Sequence, residues 1–489
     1  MSTVSPSSST GTGTISSPGV GSGLDVNSIV SQLVAIEKQP LQQLQSKAST
    51  LQSQFSEYGK LKSMASNLQA AASTLASPFS WGSQTASSSN SSAVAVSVDS
   101  TATSTSFGLD VTRLAQSQTT AARSVATGAS LGPGGGTGTL TIQLGSWGAS
   151  GAGPFVAGAA AAVTINVNET DTYANIASAI NASNSGVTAT VLKSGNMERL
   201  SLQSTTSGSD AGFTIASNGG FAALDSLSFT SQSNGTESAS GMESSQVGLN
   251  ANLKINGVAI DSATNIVSNI VPGVTLNLLQ MTSVGSPVQI TVAQDKNAVQ
   301  KNIQAFADAY SALATEIAAD TKYVSGGTSG ILQGDSTTLG IQSMMRKLLT
   351  SNSAGSTFTS LSQIGLEQQT DGSLKLNTGK LTLAMGDMTN LQSLFTATSN
   401  NSATNGYAVK LRDFASGLIG LGGSVTTKTT SLQSALSSNS DEQNAVNDRA
   451  TRVEAQLRQQ YSALDAQMAQ LQSLGSYVTA QLAQWNKTA

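Results

Sequence analysis

The chain has 489 residues, enough for about three domains, yet only 10% are charged and 4% aromatic. A net charge of -4 with no basic block excludes the electrostatic footprint of a nucleic-acid binder. The absence of cysteine rules out disulfides and thiolate metal sites, and the absence of histidine removes the commonest general base and metal ligand.

Residues 1–23 are rich in Ser, Thr, Gly and Pro and read as a disordered tail. Helical spacing then begins: Leu24, Ile29, Leu33 and Ile36 fall on one side of a short helix, with Asp25 or Asn27 as its N-cap. Pro40 is expected to end or kink it. A longer helix follows, in which Leu44, Leu51, Tyr58, Ala65 and Ala72 recur every seven residues, and "SPFSWGS" breaks it.

From about residue 86 the period changes to two, and strands are expected at "AVAVSVDS", "FGLDVTRL", "TLTIQLG", "VTINVN", "VTATVLK", "ERLSLQS" and "FTIAS". One helical insert, "TYANIASAINAS", interrupts them. Asn256-Gly257 within "LKINGVAI" predicts a two-residue hairpin turn, because both residues tolerate positive φ. Helix returns with Val299, Ile303, Phe306, Tyr310, Leu313 and Ile317 at 3-4 spacing, then at "TTLGIQSMMRKLLTS", with a hairpin around Asp371-Gly372. Two more helices are expected over about 404–421 and 424–440. A last one begins near Asp441-Glu442, where the helix dipole favours acids. In it Ala450, Leu457, Leu464, Leu471, Val478 and Trp485 are spaced by seven, the pattern of a coiled-coil seam.

Signals for chemistry are weak. The glycines from Gly132 to Gly138 lack the Gly-Lys-Ser/Thr of a phosphate loop, and Glu169 with Asp171 reads as a solvated turn. No catalytic, cofactor-binding or metal-ligating residue is assigned, and no enzyme is expected. No run of about 18 apolar residues suggests a membrane span.

The stretch "GSGLDVNSIVSQLVAIEKQPLQQLQ" resembles the N-terminal signature of the flagellar hook-associated protein 2 family. "VTINVNETDTYANIASAINASNSGVTATVL" resembles the motif shared by flagellins and hook-associated proteins, named for an Ile-Asn pair, here Ile165-Asn166. "LKINGVAIDSATNIVSNIVPGVTLNLL", "IQAFADAYSALATEI", "GILQGD" and "SLSQIGLEQQTDGSLKLN" resemble the family's C-terminal region. The resemblance implies a structural cap at the distal tip of the bacterial flagellar filament, which closes the tip and promotes folding and insertion of exported flagellin. Export by the flagellar type III pathway is implied, with no cofactor. The implied partners are further copies in a homo-oligomeric ring, flagellin, the hook-filament junction proteins and an export chaperone. Adhesion to mucin or glycans through the β domains is the alternative.

The expected fold class is α+β and multidomain, with terminal helices in a coiled coil or helical bundle and inserted antiparallel β-rich domains. Residues 24–43 and 441–489 are expected to form a terminal coiled-coil leg. Residues 44–85 and 295–440 would form a helical bundle with a small β-hairpin. An inner β domain is assigned to 86–118 and 243–294, and an outer one, carrying the Ile-Asn motif, to 119–242. The expected assembly interface is Leu24, Ile29, Leu33, Ile36, Leu457, Leu464, Leu471, Val478, Leu482 and Trp485. Hinges are expected near Pro40 and Gly475.

Overall fold

The computed structural model describes residues 25–232, 241–283 and 285–485. The expected tail, Leu24 and the Trp485 side chain therefore lie outside the described residues. The chain divides into two compact units, residues 1–81 with 299–489, and residues 82–298.

The first unit is helical. Its N-terminal part is α1 (Val26–Glu37) and α2 (Gln39–Ala76). The second unit carries α3 (Tyr173–Ala182) and the single-turn α4 (Ala222–Asp225). The first unit then resumes with α5 (Lys296–Thr321), α6 (Ser336–Thr350), α7 (Thr378–Ala384), α8 (Met388–Thr396), α9 (Tyr407–Ile419) and α10 (Ser424–Trp485). Pro40 sits in the first turn of α2, where its missing N–H has no helical partner to lose. The chain turns at Lys38, whose amide still bonds the carbonyl of Val34 at 3.0 Å.

The seven-residue row of α2 explains the bundle. Tyr58, Ala65 and Ala72 are buried with Leu61, Leu68 and Leu75 in the same core as the predicted α5 stripe from Val299 to Ile317. The alanines keep that face narrow enough for α9 to pack closely on α2. Trp81 closes the end: its indole N–H bonds the carbonyl of Leu75 at 2.8 Å and its ring lies 5.6 Å from that of Phe395. The Asp371-Gly372 hairpin is present, pairing Leu366–Gln368 with Leu374–Leu376, and Gly372 takes φ 87°. One expectation fails. No helix starts at Asp441-Glu442; α10 is continuous through them. Nothing in "SSNSDEQ" breaks a helix, because Ser and Asn only weaken it.

The second unit is built of antiparallel sheets around two cores. In the first core a five-stranded sheet runs Gln84–Ser88, Val288–Gln294, Thr105–Arg113, Ala251–Ile255, Val258–Ser262 across its width. It shares its core with a three-stranded sheet through Phe107, Leu109, Leu276 and Ile290. The Asn256-Gly257 turn forms as read: Ile255 pairs with Val258, at φ 48° and 87° for the turn residues. In the second core α3 lies on strands carrying the Ile-Asn motif, capped by reciprocal bonds between Thr172 and Asn175. There the fully buried Gln118 has three bonds: its amide donates to the Phe213 carbonyl, and its oxygen accepts from the Phe213 amide and the Trp147 indole, each at 2.9 Å. A buried amide so satisfied fixes the strand register at little cost.

Candidate assembly surface

The two ends of the chain meet in a small cluster of their own. Val30 and Val34 of α1 are buried against Ala450 of α10, with Val26, Leu457 and Tyr461 at the rim. The side chain of Asp25 accepts from the Ser28 amide at 3.0 Å and starts α1 in the expected place. Two polar contacts set direction. Glu37 at one end of α1 pairs with Arg449, and Asn27 at the other accepts from Arg458 at 2.9 Å. The helices are therefore antiparallel, and α1 approaches the C-terminal part of α10 at its own N-terminus.

Within the single chain, α1 meets α10 through a different face from the expected Leu/Ile row. Leu33 is 38% and Ile36 59% exposed, and Ile29 is half-buried; these residues do not pack on the α10 row. The face that does is Val26, Val30 and Val34, spaced by four. Sequence reading missed it, although the spacing was visible, because the Leu/Ile row offered the larger side chains. Thus α1 carries two apolar rows, and among the described residues only the valine row is buried against α10. Asn27, Ser28, Ser31 and Gln32 hold the opposite, polar side of α1, so its apolar arc is wider than the contact with α10 covers.

The other half of the row is equally bare. Beyond Tyr461 the described side chains of α10 are exposed, apart from the half-buried Asp465 and Met468. Leu464 is 43%, Leu471 62%, Leu474 59%, Val478 49% and Leu482 54% exposed. With Tyr461, Met468 and Leu482 placed four after members of the row, apolar positions alternate by four and three, broken only at Gly475. A bare run of about 24 residues, roughly 36 Å of helix, is much more apolar surface than one helix leaves in water. Each Leu or Val would contribute about 1.5–3 kcal/mol on full burial.

Replacing Val30 by aspartate is expected to release α1 and leave the bundle folded. The buried carboxylate would cost several kcal/mol, more than the short α1 contact supplies. Hydrogen exchange would show loss of protection over 26–37 with the bundle amides unchanged; retained protection would show that the Val30 contact does not hold α1.

The glycine segment carries no phosphate site. Gly136 donates its amide to Glu169 Oε2 at 3.1 Å, and a Cβ at Gly134 would lie 2.2 Å from that oxygen. The loop is wrapped round the chain's own carboxylate. Asp171 is a turn residue, accepting from the Asn168 amide at 2.8 Å. No described helix is long and apolar enough to cross a membrane.

The models of the flagellar hook-associated protein 2 N-terminus and C-terminus match residues 22–118 and 248–473, and the flagellin hook IN motif matches 139–206. The chain is 29% identical over 480 residues to flagellar hook-associated protein 2 of Escherichia coli strain K12, covering 96% of this chain and 98% of the relative. It is 26% identical to the Salmonella typhimurium protein of that name, over 64% of this chain and 67% of the relative. A crystal structure of the D1-D2-D3 domains of the Escherichia coli flagellar cap protein FliD superposes with TM-score 0.55 at 27% identity, covering 77% of this chain and 99% of that one.

Proposed function

Because the chain belongs to the flagellar hook-associated protein 2 family, we propose that α1 and the C-terminal part of α10 are the legs of a cap seated on the flagellar filament. The protein is a structural component of the bacterial flagellum that caps the distal end of the filament, and it acts as an oligomer of identical chains. It closes the tip and promotes the folding and insertion of arriving flagellin. Nothing in that role requires a covalent step, so we read the chain as no enzyme.

The observation that carries the leg assignment is the unpartnered apolar surface: the outer face of α1 and the α10 row beyond Tyr461. In the assembled cap Leu33, Ile36, Leu464, Leu471, Val478 and Leu482 contact neighbouring copies or the filament end, in a coiled-coil manner. Ile29 and Leu457, half-buried in the single chain, are assigned to the same interface, as are Leu24 and Trp485 from their places in the sequence. The helical body is 44–85 with 295–440, and the two β-rich parts, 86–118 with 243–294 and 119–242, form the plate. The partners are flagellin, the hook-filament junction proteins before growth begins, and an export chaperone that shields the apolar termini. The chain leaves the cell by the flagellar type III pathway. Adhesion to glycans draws no support from the family match.

Deletion of the gene tests the cap role. Hooks without filaments, with flagellin lost to the medium, is the expected phenotype; normal filaments would refute it. Flexing of the legs is assigned to the Lys38–Pro40 turn and to Gly475, a helix-interior glycine with nothing within 4 Å of a Cβ built on it. Gly475→Ala is expected to stabilise that helix by about 1 kcal/mol while slowing filament growth. Unchanged growth with either Gly475→Ala or Pro40→Ala would remove that hinge.

A further inference from the structure

The α5 stripe does not end where its apolar residues do. Ile303, Phe306, Tyr310, Leu313 and Ile317 occupy core positions at 3-4 spacing, and the next position in the series is Asp320. A sequence shaped for stability alone would place an apolar residue there. Asp320 is only 8% exposed, and its Oδ2 is buried without a hydrogen-bond partner. It faces two more carboxylates, Glu316 one turn earlier on α5 and Glu57 on α2. One carboxylate oxygen from each of the three lies within 4.8 Å of the other two. Glu57 Oε2 is likewise buried and unpartnered.

Among the described residues, Lys60 is the cation that meets this group. Its Nζ is 2.9 Å from Glu57 Oε1 and 3.1 Å from Glu316 Oε1, on a side chain 55% exposed. Three carboxylates against one ammonium leave the cluster underneutralised on its buried side. An ionised carboxylate without a partner is costly, so this cluster works against the bundle in which it is packed.

We propose that Glu57, Glu316 and Asp320 form a calcium site clamping α2 to α5, with Lys60 as the counter-ion that the metal displaces. Oxygen donors with no nitrogen or sulfur select a hard cation. Three carboxylates on two helices suit calcium, which accepts six to eight ligands in flexible geometry and takes the remainder as water. Magnesium demands a near-ideal octahedron at shorter distances, which these helix-mounted side chains do not prearrange. Sequence reading assigned no metal ligand because Glu57 lies far along the chain from Glu316 and Asp320, and the cluster exists only once α2 and α5 pack.

Calorimetric titration of the full chain with calcium chloride, with magnesium chloride as a parallel arm, tests this. One site is expected per chain, with a Kd of about 10⁻⁴–10⁻³ M, the range of extracellular calcium modules. Asp320→Asn and Glu316→Gln should each weaken binding at least about tenfold, while Lys60→Gln should strengthen it by removing the competing ammonium. The shape-conserving Asp320→Asn should also raise the metal-free Tm and abolish its increase with calcium. No saturable binding up to about 10 mM calcium would overturn the proposal. So would binding that survives in Asp320→Asn, tighter binding of magnesium than calcium, or an affinity indifferent to Lys60→Gln.

Discussion

Cells carrying Leu471→Asp together with Val478→Asp are expected to build hooks, fail to grow filaments and shed flagellin into the medium, although the purified chain folds normally. Both side chains are largely in water in the single chain, at 62% and 49% exposure. Exposed substitutions of this kind usually change stability by no more than about 0.5 kcal/mol, so the thermal transition should stay in place. On the leg assignment proposed above, the same positions lie in a contact of the 4-3 kind in the assembled cap. There a carboxylate must be stripped of water, at several kcal/mol per charge, with no partner assigned to it. Since about 1.4 kcal/mol is a factor of ten in an equilibrium constant, two such charges per chain in a ring of identical chains are enough to abolish seating. Ser473→Asp is the control. It lies two residues from Leu471, roughly 200° round the helix, and should leave filament growth intact. Normal filaments with the double variant would show that the row is not the seat of the cap. Loss of filaments with Ser473→Asp as well would point to helix disruption instead.

Which parts of this molecule could be read from sequence follows from how local the signals are. The α2 and α5 stripes, the Asn256-Gly257 turn and the Asp371-Gly372 hairpin are written within short windows, and the structure contains them all. The face of α1 was less legible. Two apolar rows share that short helix, and only the position of Ala450 and Tyr461 decides that the valines pack inward while Leu33 and Ile36 remain outside. The break expected at Asp441 rested on acids that favour a helix start. Asp441 and Glu442 instead stand exposed in the middle of α10, where charged residues cost little. The carboxylate cluster of Glu57, Glu316 and Asp320 was invisible for a different reason: its members come from two helices joined only by tertiary packing. Asp320 could have been singled out as a charge at a core spacing, but not its neighbours.

Asp335→Ala is expected to cost the helical unit about 3 kcal/mol at neutral pH, among the largest effects of any single polar change in it. Asp335 is the N-cap of α6 and accepts from the Thr338 amide at 3.0 Å. Its Oδ1 also accepts from the hydroxyl of Tyr58 on α2 at 2.5 Å, and its Oδ2 meets Lys428 of α10 at 2.7 Å. One carboxylate thus joins three helices, and its side chain is only 12% exposed. Burial would push the Asp335 carboxyl up, but the Lys428 ammonium, the Tyr58 hydroxyl and the Thr338 amide together hold it down at about 2. Against an ordinary value of 3.8, that depression corresponds to about 2 kcal/mol favouring the folded state. The sign follows from linkage. Because the folded carboxyl is the stronger acid, its contribution is complete above about pH 4 and disappears as the pH falls towards about 2. Asp335→Asn separates the charge from the cap, since asparagine caps helices as well as aspartate. Denaturant unfolding at pH 7 should place Asp335→Asn about 2 kcal/mol below the parent and Asp335→Ala about 1 kcal/mol lower still. Near pH 2 the gap between the parent and Asp335→Asn should close, leaving the alanine variant below both. A parent-to-asparagine gap that stayed constant from pH 7 to pH 2 would show that the charge contributes nothing and that the three helices are joined by packing alone.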